Sequence, residues 1–151
     1  MSEQSMTENN ESSERPSVSL FGHELIRDHL LHELLGKDAS EILYWAGKKL
    51  ARQYPLETFE DMIRFFKEAD WGELTVVEQK RREMKLELSG SLVANRVRKG
   101  KNTTFQLEAG FLAQQLEMQK KVVTEAFEHP HKRSGIIELT VKWDSKDNID
   151  M

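Results

Sequence analysis

Two runs of strict alternation constrain this chain more than any other feature. Met84, Leu86 and Leu88 alternate with Glu83, Lys85 and Glu87; Ile137, Leu139, Val141 and Trp143 alternate with Glu138, Thr140 and Lys142. A period of two puts the apolar side chains of each run on one face of a strand and the polar ones on the other. Each run therefore predicts a half-buried strand whose apolar face needs a cover. Residues 74–78 predict a hairpin partner for the first run. Residues 122–129 predict one for the second, through a turn at 130–135.

The cover is expected from the stretch between the hairpins, Leu107-Glu-Ala-Gly-Phe-Leu-Ala-Gln-Gln-Leu-Glu117. Leu107, Phe111, Leu112 and Leu116 follow helical spacing, while Ala109, Gly110 and Ala113 keep the helix slim enough to lie flat on a sheet. The helix should span about residues 107–119. A shorter one over residues 91–99, with Leu92, Val93 and Val97 inward, should precede it.

Upstream of residue 74 the apolar period is 3.6. Residues 21–35 predict a first helix ended by Gly36. At 100° per residue, its Leu25, Ile26, Leu30, Leu31, Leu34 and Leu35 point in three directions. A helix apolar nearly all round is buried on more than one side, so a second copy of the chain is expected against Leu30, Leu31, Leu34 and Leu35. Asp38 and Glu41 have the spacing of a capping box for a second helix running to about Gln53. Its buried face is expected at Ile42, Leu43, Ala46, Leu50 and Gln53 or Tyr54. Gly47 in mid-helix costs about 1 kcal/mol against Ala, which suggests that another backbone comes close. Thr58 should cap a third helix over residues 58–69, with Phe59, Met62, Ile63, Phe66 and Ala69 on one side. The order ααα-ββ-αα-ββ predicts an α+β fold: N-terminal helices, then a four-stranded antiparallel sheet of two hairpins with a helical insertion between them.

Residues 1–16 are nearly all polar and read as a disordered acidic tail. Their four Glu and one Arg carry −3 of the chain's net −4. A single domain is expected over residues 17–145, with a polar C-terminal tail at 146–151. The near-neutral remainder suggests neither nucleic acid nor a membrane surface as partner. The absence of Cys excludes disulfides, thiolate catalysis and Cys-ligated metal centres. There is no signal-peptide pattern, and no apolar run approaches the roughly 20 residues of a membrane span. A cytoplasmic location is the expectation.

Three stretches resemble known domains. Ile42-Leu-Tyr-Trp-Ala-Gly-Lys-Lys-Leu50 resembles the early helix of 4-vinyl-reductase-type domains, Phe105-Gln-Leu-Glu-Ala-Gly-Phe-Leu-Ala113 resembles the helix after their first hairpin, and residues 122–143 sit where their closing hairpin does. The same superfold includes small TRAPP vesicle-tethering subunits and is related to haem nitric-oxide-binding domains. As a whole, residues 20–145 resemble the YslB-like family of Gram-positive bacteria. The resemblance implies the fold and supplies no activity. The cysteines that many 4-vinyl-reductase-type domains and some acyl-bearing TRAPP subunits use are absent here, and no histidine matches the iron ligand of the haem sensors.

No catalytic residue, metal ligand set or cofactor is expected. His29, His32 and Glu33 could share a helix face but lack further ligands. His129 and His131 flank Pro130 in the predicted turn. Ser, His and Asp occur without a GxSxG elbow, and no Walker loop or GxGxxG is present. Lys80, Arg81, Arg82, Lys85, Arg96, Arg98, Lys99 and Lys101 would form one positive patch if the strand ends and the short helix converge; a solvated surface is the first reading of it and a docking site for an acidic protein the next. Phe105 and Phe111 could line an apolar pocket in which Arg96 meets a ligand carboxylate or phosphate; alternatively the rings fill the core and Arg96 pairs with Glu108. The function expected is a non-enzymatic homodimeric binding or adaptor domain. The alternative is a sensor for an apolar or tetrapyrrole-like small molecule.

Overall fold

The computed structural model describes residues 16–100 and 103–144. The expected tail at 1–16, apart from Pro16, and the tail at 146–151 lie outside these residues, as does Lys101. A helical segment comes first, in three consecutive pieces: Leu20–Glu24, Leu25–Leu30 and Leu31–Leu35, here together α1. Then follow α2 (Ala39–Gln53), α3 (Phe59–Glu68), β1 (Glu73–Gln79), β2 (Glu83–Ser89), α4 (Ser91–Lys99), α5 (Gln106–Lys120), β3 (Thr124–His131) and β4 (Ile136–Trp143). The sheet is antiparallel throughout, in the order β1-β2-β4-β3, so the two hairpins meet at β2 and β4. The fold is the α+β arrangement the sequence predicts.

Register follows from alternation. Met84, Leu86 and Leu88 lie opposite Val141, Leu139 and Ile137, and all six are buried on one face. A slip of one residue would turn that whole set to solvent. The apolar face is covered by α3, α4 and α5. Thr58 caps α3 as expected, its hydroxyl accepting from the Asp61 N–H at 3.1 Å. Both edge strands are interrupted: β1 carries a bulge between Val76 and Glu78, and β3 continues through Pro130 to His131 rather than ending before a turn. Proline can enter a strand here because β3 is an edge and its missing N–H faces no partner strand.

The second helix departs from expectation at its start and in its facing. Gly36–Asp38 form a 3₁₀ turn, which leaves Asp38 at φ −96°, ψ 14° instead of the extended conformation of a cap, and its side chain caps nothing. The buried face is Ala39, Leu43, Gly47 and Ala51; Ile42, Ala46 and Gln53 turn outward. Small residues were selected because α2 crosses α5 at backbone distance. A Cβ on Gly47 would collide with the Leu107 carbonyl oxygen, and one on Gly110 with that of Tyr44. Gly110 thus serves the helix crossing, not a flat seat on the sheet. The Tyr44 hydroxyl then reaches past α5 and accepts from the Ala126 N–H of β3 at 3.0 Å.

This crossing gives a prediction with a decisive sign. Helix propensity alone would make Gly47→Ala or Gly110→Ala stabilising by about 1 kcal/mol. Backbone overlap cannot relax as a side-chain tip would, so each should instead destabilise by about 1–3 kcal/mol in urea unfolding. A gain in stability at either position would refute the tight crossing.

Candidate functional site

The first helix is turned inside out. Ser19 starts it, its hydroxyl accepting from the Gly22 N–H at 2.9 Å. The turn Leu25–Leu30 is π-helical, and the Leu31 N–H bonds back five residues to the Ile26 carbonyl. That spacing accommodates one more residue than an α-turn and shifts every later side chain around the axis. Arg27 and Leu34 show the effect. Seven residues are almost two α-turns, so α phasing would stack Leu34 over Arg27, yet Arg27 is 7% exposed and Leu34 is 71% exposed. The π turn thereby gathers Leu25, Ile26, Leu30 and Leu34 on one outward face and Glu24, Arg27 and Asp28 on the inward one. Phe21 and Leu20 extend the outer strip. The all-round apolar helix expected from α phasing is corrected accordingly: its inner side carries charge.

The inward charges meet partners on two other elements, α4 and α5. Arg27 donates from Nη2 to Glu108 Oε1 of α5 at 2.9 Å. Asp28 accepts from Arg96 Nε and Nη2 of α4, at 3.1 and 2.9 Å through Oδ1. Arg96 Nη1 lies 3.6 Å from Glu108 Oε2. The result is a closed set of two guanidinium groups and two carboxylates, with Arg96 and Glu108 at most 1% exposed. Arg96 also donates to the Thr104 carbonyl at 3.0 Å and stacks 4.1 Å above the Phe105 ring. At the rim, Glu24 accepts from Lys99 Nζ at 2.9 Å and from Asn95. Glu128 of β3 accepts from the Thr104 hydroxyl, the Phe105 N–H and the Gln106 amide, and so closes the start of α5 from outside that helix.

The charges decide the titration. Burial works to raise the Glu108 carboxyl, but Arg27 and Arg96 outweigh it and hold it below the usual carboxylate range. Burial likewise works against the Arg27 guanidinium, which Glu108 more than offsets. Half-buried Glu128 is pushed up by desolvation, with the Glu108 charge adding to it, despite its three donors.

The residues singled out in the sequence fall in several places. Leu30 and Leu34 are on the outer strip, whereas Leu31 and Leu35 are half-buried on the inner side. Arg96 and Phe105 are in contact, but Phe111 lies elsewhere, stacked on Phe65 at 4.5 Å and edge-on to Trp71 at 5.2 Å. The seven of the eight basic residues that are described do not form one patch. The β1–β2 turn and α4 flank opposite ends of β2, about 20 Å apart, and Arg96 is buried while Lys80, Lys85 and Lys99 each face a Glu. His29 and Glu33 are exposed and His32 is half-buried. His131 lies 3.3 Å from Glu138, the register partner of His129. Missed by the sequence reading were Glu24, Arg27 and Asp28. Their i, i+3, i+4 spacing is the signal that could have found them, since it places three charges on one side of a helix.

The charge set should tolerate only balanced change. Glu108→Gln leaves two buried guanidinium groups with one carboxylate and should cost about 3–5 kcal/mol in urea unfolding. Adding Arg27→Met restores the balance and should recover most of that loss; a double variant no more stable than the single one would contradict the account. Because Glu108 titrates below its ordinary value in the fold, its contribution is fully present above about pH 4.3 and is lost as pH falls through the lower folded value.

One solved structure shares this fold. A solved vinyl-4-reductase family protein from Methanocaldococcus jannaschii superposes with a TM-score of 0.65 at 18% identity, over 88% of this chain and 86% of that one. A trafficking protein particle complex subunit 3 from Naegleria fowleri, solved covalently bound to palmitic acid, gives a TM-score of 0.45 at 11% identity, over 83% and 89%. In sequence, the chain is 45% identical over 132 residues to the uncharacterized protein YslB of Bacillus subtilis strain 168, covering 87% of this chain and 89% of that protein. The family described as a protein of unknown function, DUF2507, matches residues 20–142, and the chain belongs to it.

Proposed function

We propose that the protein is a non-enzymatic, cytoplasmic adaptor domain that works as a homodimer, two copies joining through the outer face of α1. The observation that carries this reading is the inverted helix. Charges are spent on holding α1 to its own body, and six large apolar side chains, Leu20, Phe21, Leu25, Ile26, Leu30 and Leu34, are left outside. They expose roughly 600 Å² of apolar surface, the upper end of what a monomer carries. Pairing two such strips would bury roughly 1,200 Å², where stable interfaces begin. A row of Leu and Ile is also self-complementary, as a two-fold interface requires. Residues 1–15 offer only Met1 and Met6 as large apolar groups, too little to cover the strip themselves.

A small-molecule sensor is the second reading. It draws on a cleft of about 500 Å³ between the starts of α1 and α4 and the side of α3, lined by Leu20, His23, Ile63, Leu92 and Val93 among others. The Arg96, Phe105 and Phe111 site gives it less support, because Arg96 is already occupied by Asp28, Glu108 and the Thr104 carbonyl. Native mass spectrometry of protein from its own host separates the two, a co-purified ligand mass favouring the sensor.

Sedimentation velocity at micromolar concentration should give about twice 17.6 kDa. Leu30→Glu and Leu34→Glu should give a monomer with unchanged far-ultraviolet circular dichroism, since both side chains point outward. A wild-type monomer, or dimers that survive both substitutions, would sink the proposal. Leu31 is not the diagnostic position, because it lies toward the body of its own protomer.

A further inference from the structure

The face that α2 turns away from α5 has an unusual composition. Ile42, Trp45, Lys49 and Arg52 are spaced by three, four and three, which aligns them on one stripe of the helix. All four are exposed, Trp45 at 72%. Lys48 borders the stripe, its ammonium 5.3 Å from the Tyr44 ring centre. Lys48, Lys49 and Arg52 have no carboxylate within ion-pair distance among the described residues. Lys80, Lys85, Lys99 and Lys142, by contrast, each lie within 4.0 Å of a Glu. Beside Trp45 is a shallow depression formed with Ser40, Glu41, Tyr44 and Gln106.

We propose that this face of α2 docks an acidic polypeptide segment carrying an apolar anchor. Trp45 and Ile42 take the anchor, and Lys48, Lys49 and Arg52 take the carboxylates. Trp45 is the largest exposed side chain of the stripe, and Trp and Arg are the residue types enriched at the centres of interfaces. The charges also fix polarity. Glu41 stands at the N-terminal end of the groove and repels an acid there, so the partner's carboxylates lie toward Lys49 and Arg52, near the end of α2. Nucleic acid is disfavoured because no second aromatic on the stripe offers a stacking platform. This surface is on a different helix from the strip assigned to self-association, and the two assignments can fail independently.

The test is selection of a random 16-residue peptide display library on the full-length protein, with the enriched peptides resynthesised and titrated. The expected result is enrichment of Asp- and Glu-rich peptides with one or two Phe, Trp or Leu. Their binding should weaken at least tenfold in Lys49→Glu/Arg52→Glu and in Trp45→Ala, and again between 50 and 500 mM salt, while Leu30→Glu leaves it unchanged. Neutral or basic winners, or binding indifferent to the α2 substitutions, would overturn the proposal. So would loss of the dimer in Trp45→Ala, which would make this a self-interface. Binding seen only after removal of residues 1–15 would assign the face to the chain's own acidic N-terminus. Capture of phosphatidylserine vesicles through the same residues, without peptide binding, would assign it to a membrane surface. All these substitutions are on exposed side chains, and circular dichroism melts should match wild type.

Discussion

Everything about the way this chain presents itself outward depends on a carboxylate that water does not reach. Glu108 sits at the first turn of α5 with no exposed surface. An ionised carboxylate there is tolerable only with cations against it. Arg96 comes from α4 and Arg27 from α1, and Asp28 returns the balance to zero. Because two of the four groups are on α1, that helix has to lie with its polar side down. Leu25, Ile26, Leu30 and Leu34 are then committed to the outside, while Leu31 and Leu35 stay half-buried. Burial of charge at one point thus sets the chemistry of the surface some two helix radii away.

The second constraint is steric. Gly47 and Gly110 allow α2 and α5 to cross with carbonyl oxygens where side chains would ordinarily stand. With α2 on one side and the sheet on the other, the stretch from Glu108 to Leu116 is buried on every face. Phe111 is free to enter the aromatic cluster of Phe65, Phe66 and Trp71, which locks α3 onto α5. Gln115 fastens the α2–α3 loop, accepting from the Leu56 N–H and donating to the Tyr54 carbonyl.

Legibility of the sequence divides along the same line. Strands could be read because a period of two has only two outcomes, and one is excluded once a face must be buried. The hairpins, the insertion and the bounds of α4 followed. Helix facing was harder. In α2 the buried side is marked by absence of bulk, at Ala39, Gly47 and Ala51, so apolar size alone points to Ile42, which is exposed. In α1 the phase itself changes at Leu25–Leu30, and no single angle per residue describes both halves. Trp45 escaped notice for a related reason, since exposure of a large ring is visible only after the opposite side is known. The basic residues from 80 to 101 looked like one feature because they are near in sequence. A whole strand separates the two groups in space.

Both margins of the sheet are spoiled for further pairing. Pro130 removes a donor from β3, and the bulge at Val76–Glu78 breaks the spacing of β1. A strand presented by another molecule would find neither rim continuous. Growth of the sheet from chain to chain, the route by which β-proteins polymerise without limit, is therefore obstructed at both ends. Edge-to-edge addition of strands is thus closed off by two local irregularities, one in each outer strand.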